Sequence, residues 1–336
     1  MSDFRTKITP SHEGLSISVN APILLAGSCF AENIGALLRQ HHFETLQNPS
    51  GIVFNPVSIA HLLQQACRNK QFSEQDVLFF EGQYLSLAHH SELSRNNLAE
   101  MQSVLTQKTE QTRQFLQKAQ LLILSLGTSI VYKHVATETI VANCHKLPAR
   151  DFETFRLSPE QISDSLANAF ADCWEINPSL KILLTVSPIR HWRSGYHQNQ
   201  LSKAALLLAV DALQKRFGQQ CFYFPAYELL LDDLRDYRFY AADMLHPSAE
   251  AVQYIWQHFV NTYFDERAKN LVNLMEKINR AKTHRPRQQN SAAYMSFLQA
   301  QLLQVHEAAL HFPEIDFSPS KSYFLEEINR VGEKLT

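Results

Sequence analysis

Three residues of the chain have the types and positions that serine-dependent acyl transfer requires. Ser28 follows Gly27 directly after a short apolar run. Asp243 and His246 lie three residues apart, just before a helical pattern. A serine hydroxyl can attack a carbonyl carbon when an imidazole removes its proton and a carboxylate orients that imidazole. We therefore predict that Ser28 is the nucleophile, that His246 is the general base and that Asp243 orients His246.

Each half of this pattern also has a purely structural explanation. A serine at the junction of a strand and a helix is a common N-cap, and a D-x-x-H sequence before a helix occurs often by chance. A helix N-terminus nevertheless presents unpaired N–H groups and a positive dipole end, which favour a negatively charged oxygen. The N–H of Ser28 is therefore also a candidate donor to the oxyanion of a tetrahedral intermediate.

Short apolar runs alternate with amphipathic helical patterns through most of the chain. The runs cover residues 22–26, 121–126, 181–186 and 221–225, and the helical patterns cover residues 56–68, 97–119, 159–175, 199–217 and 249–264. This alternation predicts an α/β fold with a parallel sheet wrapped by helices. Functional residues of such sheets lie in loops at the carboxyl ends of the strands. Three loops meet this condition: Gly27-Ser28, Gly127-Thr128-Ser129 and Ser187-Pro188.

Two stretches interrupt the alternation, and the composition changes near the end of the chain. Residues 77–88 and 130–143 are typical of β-hairpins, the first with Glu81-Gly82 at its turn. After about residue 265, long polar helical patterns follow. We predict a catalytic domain over residues 1–265 and a helical appendage over residues 266–336, whose helices are candidates for homo-oligomer contacts.

Composition and charge argue against several function classes. The chain has 336 residues, of which 45% are hydrophobic, and a formal net charge of -2. The chain contains no block of Lys and Arg with interleaved aromatics, which is the pattern typical of nucleic-acid binding. The apolar runs are too short to cross a bilayer, and the N-terminus lacks the apolar stretch of a signal peptide. The five dispersed cysteines include no CxxC pair. We therefore predict free thiols and a cytoplasmic location.

Longer sequence blocks surround the candidate residues. Residues 27–31 read GSCFA, and the further blocks read NPSGIVFNP (48–56), SLGTSIVY (125–132), VANCHK (141–146), TVSPIRH (185–191) and DYRFYAADMLHPS (236–248). On these motifs the chain resembles the GSCFA family, whose name spells the first motif, within the superfamily of SGNH or GDSL-type hydrolases. The resemblance covers about residues 23–265.

The resemblance implies an SGNH-like α/β/α sandwich of three layers and a serine mechanism that needs no cofactor. In SGNH enzymes, a glycine from a second block and an asparagine from a third block join the serine N–H in the oxyanion hole. Gly51 fits the second block, but the third block has Ser129 where the asparagine is usual. The hydroxyl of Ser129, or Asn143 from the second hairpin, would then complete the hole with Ser28.

The same resemblance suggests a substrate class and two alternatives. SGNH relatives often act on O-acylated carbohydrates, so we expect a small acyl ester, such as an O-acetylated sugar. Acyl transfer to an acceptor other than water would use the same residues. A catalytically weak binding or scaffold protein with this fold is the second alternative, since a fold does not guarantee activity. His145 and His191 are candidates to bind a polar group of the substrate, and Arg190 to bind a carboxylate or phosphate.

Two competing sites use other residues. Cys29 adjoins Ser28 at the predicted helix start, where a thiol can have a lowered pKa and act as nucleophile. The resemblance places the nucleophile at Ser28 and leaves Cys29 as packing. The 15 histidines raise the question of a metal, but none has the H-E-x-x-H spacing or paired Cys and His ligands. We therefore predict no metal site.

Overall fold

Ten strands and ten helices are found in the computed structural model, which describes residues 6–10 and 14–335. The strands are β1 (Ile23–Gly27), β2 (Thr45–Gln47), β3 (Leu78–Phe80), β4 (Gln83–Leu85), β5 (Leu121–Leu126), β6 (Ile130–His134), β7 (Thr139–Val141), β8 (Phe152–Arg156), β9 (Lys181–Val186) and β10 (Cys221–Tyr223). The helices are α1 (Cys29–Gln40), α2 (Pro56–Cys67), α3 (Leu98–Lys118), α4 (Pro159–Ile176), α5 (Tyr196–Phe217), α6 (Ala226–Glu228), α7 (Ala249–Tyr263), α8 (Glu266–Thr283), α9 (Ala292–His311) and α10 (Ser318–Leu335).

The central sheet has the strand order β10-β9-β5-β1-β2, and every neighbouring pair is parallel. In its register Gly27 lies beside Ser125, and Ser125 lies beside Thr185. β2 lies on one side of β1, whereas β5, β9 and β10 follow one another on its other side. The direction in which successive strands are added to the sheet therefore reverses between β1 and β5. Ligands of such sheets bind outside the carboxyl ends of the strands at this reversal. Ser28 lies there.

Helices cover both faces of this sheet. On one face, Leu24 and Leu124 pack in a cluster with side chains of α2, α3, α4 and α5. The alternate strand residues, among them Ile23 and Ile123, are equally buried. Strands buried on both faces are typical of a parallel sheet between two helical layers. The predicted α/β/α sandwich is confirmed.

The apolar patterns predict most elements within a few residues. The four runs form β1, β5, β9 and β10, and the helical patterns form α2, α3, α4, α5 and α7. β10 ends at Tyr223, two residues before the predicted end, where Pro225 has no N–H to donate to a neighbouring strand. The pattern does not predict β2 or β8, because neither strand has a buried side chain.

Both predicted hairpins are present. β3 and β4 pair antiparallel across a two-residue turn in which Glu81 and Gly82 have φ of 45° and 83°. Positive φ at both turn residues matches the right-handed twist of the strands. β6 and β7 form the second hairpin, and β8 joins it in a three-stranded sheet of order β7-β6-β8.

The chain divides into two compact units. The larger unit includes Ala21–Leu37 and Glu44–Tyr263, and therefore holds the whole central sheet. The smaller unit includes Ser16–Asn20, Leu38–Phe43 and the chain from Phe264 onward, with α8, α9 and α10. Within residues 6–10 and 14–335, no helix has both the length and the apolar character needed to cross a bilayer. The catalytic role of the first region and the oligomer role of the last helices stay predictions.

Candidate active site

The backbone at the end of β1 fixes the position of Ser28. Gly27 has φ of 137°, and a Cβ added there would lie 2.2 Å from the backbone oxygen of Ser125. Only glycine fits this conformation at this distance. The N–H of Gly27 donates to Oδ1 of Asn48 at 2.9 Å. Ser28 is therefore held at the carboxyl edge of the sheet by contacts from both neighbouring strands.

The Ser28 side chain is buried and hydrogen-bonded. Its Oγ lies 2.9 Å from Oγ of Ser125 and accepts a hydrogen bond from the N–H of Phe30 at 3.1 Å. The bond from Phe30 is that of a helix N-cap. Within the described part of the chain Ser28 makes no hydrogen bond with His246. In this structure the nucleophile candidate is thus paired with a serine of β5.

Asp243 and His246 form the second half of the candidate site. A ring nitrogen of His246, Nδ1, lies 2.6 Å from Oδ2 of Asp243. The other carboxylate oxygen accepts hydrogen bonds from the N–H groups of Leu245 at 2.8 Å and His246 at 3.0 Å. These two backbone N–H groups, and then the His246 ring, lower the pKa of Asp243 to about 2. The turn through Met244, where φ is 57°, brings both side chains together.

The loop of Asp243 and His246 lies at the same edge of the sheet as Ser28. The N–H of Arg190, which follows β9, donates to the backbone oxygen of Leu245 at 3.3 Å. Because β1 and β9 both run parallel to β5, their carboxyl ends lie at one edge. The side chains of His246 and Asp243 are 42% and 46% exposed. The pair is therefore open to solvent at the edge where Ser28 lies.

Three of the predicted oxyanion donors already have acceptors within the protein. The N–H of Ser28 donates to the backbone oxygen of Ser125 at 3.1 Å, and the N–H of Gly51 donates to that of Asn48 at 2.8 Å. The hydroxyl of Ser129 donates to the backbone oxygen of Ser202 at 3.2 Å. An oxyanion would have to compete with these acceptors, because each donor has one hydrogen to give.

Asn143 and His145 brace the loop after β7. Oδ1 of Asn143 accepts from the N–H of His145 at 2.9 Å, whereas its Nδ2 donates to none of the described residues. Nε2 of His145 lies 2.8 Å from the backbone oxygen of Ser86. Burial lowers the pKa of the His145 ring. In this structure His145 therefore holds loop backbone, and the Asn143 amide keeps a free donor.

His191 is a neutral imidazole packed at the end of β5. Its ring stacks on Phe54 with centroids 5.1 Å apart, and its Nε2 lies 3.2 Å from a Cβ placed on Gly127. This buried nitrogen has no hydrogen-bond partner among residues 6–10 and 14–335. Burial, and then the charges of Lys203 and His246, lower the pKa of His191 to about 3. The candidate substrate contact His191 is therefore uncharged at neutral pH.

Arg190 is held by aromatic side chains. Its guanidinium donates to the hydroxyl of Tyr240 at 2.8 Å and lies 4.3 Å from the centroid of that ring. The Trp192 ring is 5.7 Å from the same guanidinium. The arrangement fixes the side chain of Arg190 beside the Asp243 loop, to which its own backbone N–H is bonded.

A buried lysine joins the ends of two central strands, and the sequence patterns do not predict it. Nζ of Lys203, on α5, donates to the backbone oxygens of Gly127 and Ser187, each at 2.6 Å. Burial lowers the pKa of this amine to about 7. The sequence nevertheless holds a signal that could have revealed it. Leu206 and Val210 follow Lys203 at the spacing of one helix face, and a lysine on the same face as buried apolar residues indicates a buried amine.

The competing sites gain no geometric support. Burial, and then the charge of Glu32, raise the pKa of the Cys29 thiol. All five cysteines are free thiols. In the described ranges, no group of three or more His, Cys, Asp and Glu side chains could hold a metal ion.

The family models agree with the sequence blocks. The model of the GSCFA family matches residues 22–259, and that of the C-terminal domain of GSCFA domain proteins matches residues 275–330. A carbohydrate esterase family 3 structure from Talaromyces cellulolyticus is 10% identical with a TM-score of 0.36, over 76% of this chain and 99% of that chain. An acetyl esterase mutant with acetate ion is 11% identical with a TM-score of 0.36, over 77% of this chain and 99% of that chain. No curated protein matches the chain. The first family match alone covers well over half of the 336 residues.

Proposed function

The chain belongs to the GSCFA family, and we propose that it is a serine-dependent hydrolase of small acyl esters. Ser28 is the nucleophile, His246 the general base and Asp243 the residue that orients it. The observation that carries the proposal is the 2.6 Å contact between His246 Nδ1 and Asp243 Oδ2, at the edge of the sheet where Ser28 caps α1. An acceptor on Nδ1 keeps the proton there and leaves Nε2 free to act as base.

Asp243 suits the orienting role because it stays ionised. Two backbone N–H groups hold one of its oxygens while the ring of His246 contacts the other. With its pKa lowered to about 2, the carboxylate is negative at neutral pH. A fixed negative charge stabilises the imidazolium that forms when His246 takes a proton.

The reaction requires Ser28 to change its hydrogen-bond partner. Its Oγ leaves the Ser125 hydroxyl, which is 2.9 Å away, and gives its proton to Nε2 of His246 as it bonds to the carbonyl carbon. His246 then donates that proton to the departing alcohol as the ester C–O bond breaks. Water attacks the acyl-Ser28 ester by the same route, releasing a carboxylic acid and restoring Ser28 and His246.

Solvent exposure favours hydrolysis over transfer. The side chains of His246 and Asp243 are 42% and 46% exposed, so water can reach the base that activates it. Acyl transfer to another acceptor succeeds when a site excludes water from the acyl-enzyme. An O-acetylated sugar remains the proposed substrate, with Arg190 and His191 beside the catalytic loop as candidate contacts to its polar groups.

A catalytically weak binding or scaffold protein is the second candidate function. The observation in its favour is that Ser28 pairs with Ser125 and that the N–H groups of Ser28 and Gly51 already have acceptors. Such a protein would bind a ligand at the same edge of the sheet without converting it to a product.

Labelling with a fluorophosphonate probe tests the proposal. We expect covalent labelling of the parent protein and of Cys29→Ala, and none of Ser28→Ala or His246→Ala. Intact-mass analysis locates the adduct, and a screen of short acyl esters and acetylated sugars then measures turnover. Labelling that survives Ser28→Ala would refute the serine assignment, and an unreactive parent protein would favour the scaffold function.

A further inference from the structure

A small cavity adjoins the residue that precedes Ser28. Its volume is about 30 Å³, and its wall is mostly apolar, with Leu24 and Ala26 from β1 and Ile59 from α2. Gly27 and Asn48 also line it, with the hydroxyl-bearing residues Ser50 and Thr112. A mostly apolar cavity with a few polar groups suits a ligand group that combines hydrocarbon with a polar atom.

Asn48, in the wall of this cavity, has an unpaired donor. Oδ1 of Asn48 accepts from the N–H of Gly27 at 2.9 Å, which fixes which end of the side-chain amide is oxygen and which is nitrogen. Nδ2 of Asn48 is buried and has no hydrogen-bond partner in the described part of the chain. Most buried polar side-chain atoms are hydrogen-bonded, so an exception calls for a specific explanation.

The candidate site needs a donor of this kind. The N–H groups of Ser28 and Gly51 and the hydroxyl of Ser129 donate to acceptors within the protein. The amide of Asn143 keeps a free donor, but its oxygen is bonded to the backbone of its own loop after β7. Asn48 is bonded to Gly27, the residue immediately before the nucleophile. Its Nδ2 therefore belongs to a side chain that contacts the residue before the nucleophile, and among the described residues it has no acceptor to displace.

We propose that Nδ2 of Asn48 donates to the carbonyl oxygen of the acyl group on Ser28, and that the cavity beside it holds the hydrocarbon part of that group. This inference rests on the proposed hydrolase function. A cavity of about 30 Å³ has room for a small group such as an acetyl methyl. We therefore expect a preference for short acyl groups.

Asn48→Asp isolates the donor. The carboxylate still accepts from the N–H of Gly27, and aspartate tolerates the positive φ of 40° that Asn48 adopts. The variant replaces the NH₂ group of the side chain by a charged oxygen. It therefore loses the donor and places negative charge where the oxyanion forms. We expect kcat for p-nitrophenyl acetate to fall about 10²–10³-fold, with KM within a few-fold. The melting temperature should also fall, because the new carboxylate oxygen is buried without a donor. A parental kcat in a folded Asn48→Asp variant would overturn the assignment.

Changes of cavity size test the acyl pocket. Ile59→Val removes a methylene group from the cavity wall and should raise the ratio of p-nitrophenyl butyrate to acetate turnover several-fold. Ala26→Val fills the cavity and should lower that ratio. Ile34→Val is the matched control, because Ile34 is equally buried but lies on α1, outside the cavity wall. If all three variants keep the parental ratio, the cavity does not bind the acyl group.

Labelling separates the failure of this inference from that of the proposed function. Methyl and hexyl fluorophosphonates react with Ser28 whatever the natural ester is, and mass spectrometry measures each rate. If the parent protein is not labelled at Ser28, the hydrolase function fails and the inference falls with it. If the parent is labelled but Asn48→Asp and Ile59→Val match its rates and its preference for the methyl probe, only the inference fails.

Discussion

Ser28 Oγ lies 2.9 Å from Ser125 Oγ, and both side chains are buried. This contact follows from the register of the sheet, in which Gly27 lies beside Ser125. The nucleophile candidate is therefore stabilised in a resting position by the neighbouring strand. The proposed mechanism requires the hydroxyl to exchange this partner for His246.

Removing the resting partner should make Ser28 more reactive. Ser125→Ala deletes one neutral hydrogen bond, which contributes about 1 kcal/mol. We expect fluorophosphonate labelling of Ser28 to become about fivefold faster, and the free energy of unfolding in urea to fall by about 1 kcal/mol. Loss of labelling as complete as in Ser28→Ala would instead mean that the Ser125 hydroxyl is needed for the reaction.

The carboxylate of Asp243 should be needed for turnover, but its titration should not appear in the pH profile. Asp243→Asn places an amide opposite Nδ1 of His246 and favours the wrong tautomer, so kcat should fall about 10⁴-fold. Because the pKa of Asp243 is lowered to about 2, the parental profile of kcat/KM between pH 4 and 9 should lack a step from this group.

Asp236→Asn is the matched control for that change. Asp236 lies in the same segment, bonds to the backbone N–H of Arg238 and also has a lowered pKa. We expect it to keep most of the parental kcat. Equal losses in the two variants would show that the segment responds to any change of charge.

Gly27 should tolerate no side chain. Gly27→Ala places a Cβ 2.2 Å from the backbone oxygen of Ser125 at φ of 137°, and we expect it to lower the free energy of unfolding by about 3 kcal/mol. Gly82→Ala is the control, since Gly82 has φ of 83° with nothing within 4 Å of the added Cβ. It should cost about 1–2 kcal/mol. Similar urea midpoints would contradict the proposed clash.

Cys29 should be dispensable for the chemistry. Burial and the charge of Glu32 raise the pKa of its thiol, so at neutral pH a smaller fraction is thiolate than in an exposed cysteine. We expect Cys29→Ala to keep ester turnover and iodoacetamide to leave the parental rate nearly unchanged over an hour at pH 7. Rapid inactivation that Cys29→Ala prevents would revive the thiol as nucleophile.

The central sheet was predictable because each of its long strands is a continuous apolar run. β5 and β9 are almost wholly buried, and burial on both faces leaves a direct trace in the sequence. β2 has three half-buried residues and β8 is mostly exposed. Their pairing depends on neighbours far away in the chain, which no local pattern records.

The candidate site divides in the same way. Asp243 and His246 are close in sequence, so a local turn brings them together, and the spacing together with the surrounding sequence block indicates the pair. The contact of Ser28 with Ser125 depends on the register between β1 and β5, and that of Asn48 with Gly27 depends on β2. Contacts of this kind exist only after the sheet has formed.

Lys203 should make stability depend on pH. Its pKa is lowered by burial from 10.5 to about 7, so between these values the unfolded chain carries a proton that the folded protein lacks. Stability should therefore rise as pH increases from about 7 towards 10, by at most about 1.4 kcal/mol per pH unit. Below pH 7 both states are protonated and this contribution to the slope vanishes.

Lys203→Met isolates this effect, because it removes the amine while keeping most of the side-chain volume. The difference in the free energy of unfolding between parent and variant, measured in urea at pH 7, 8 and 9, should change with pH in favour of the parent protein. Taking the difference cancels the titration of buried groups such as Cys221, whose pKa is raised to about 12. Lys215→Met, at an exposed pair with Asp211, should give a difference that is independent of pH. Parallel curves for the parent and Lys203→Met would show that the amine stays charged when buried, held by the backbone oxygens of Gly127 and Ser187.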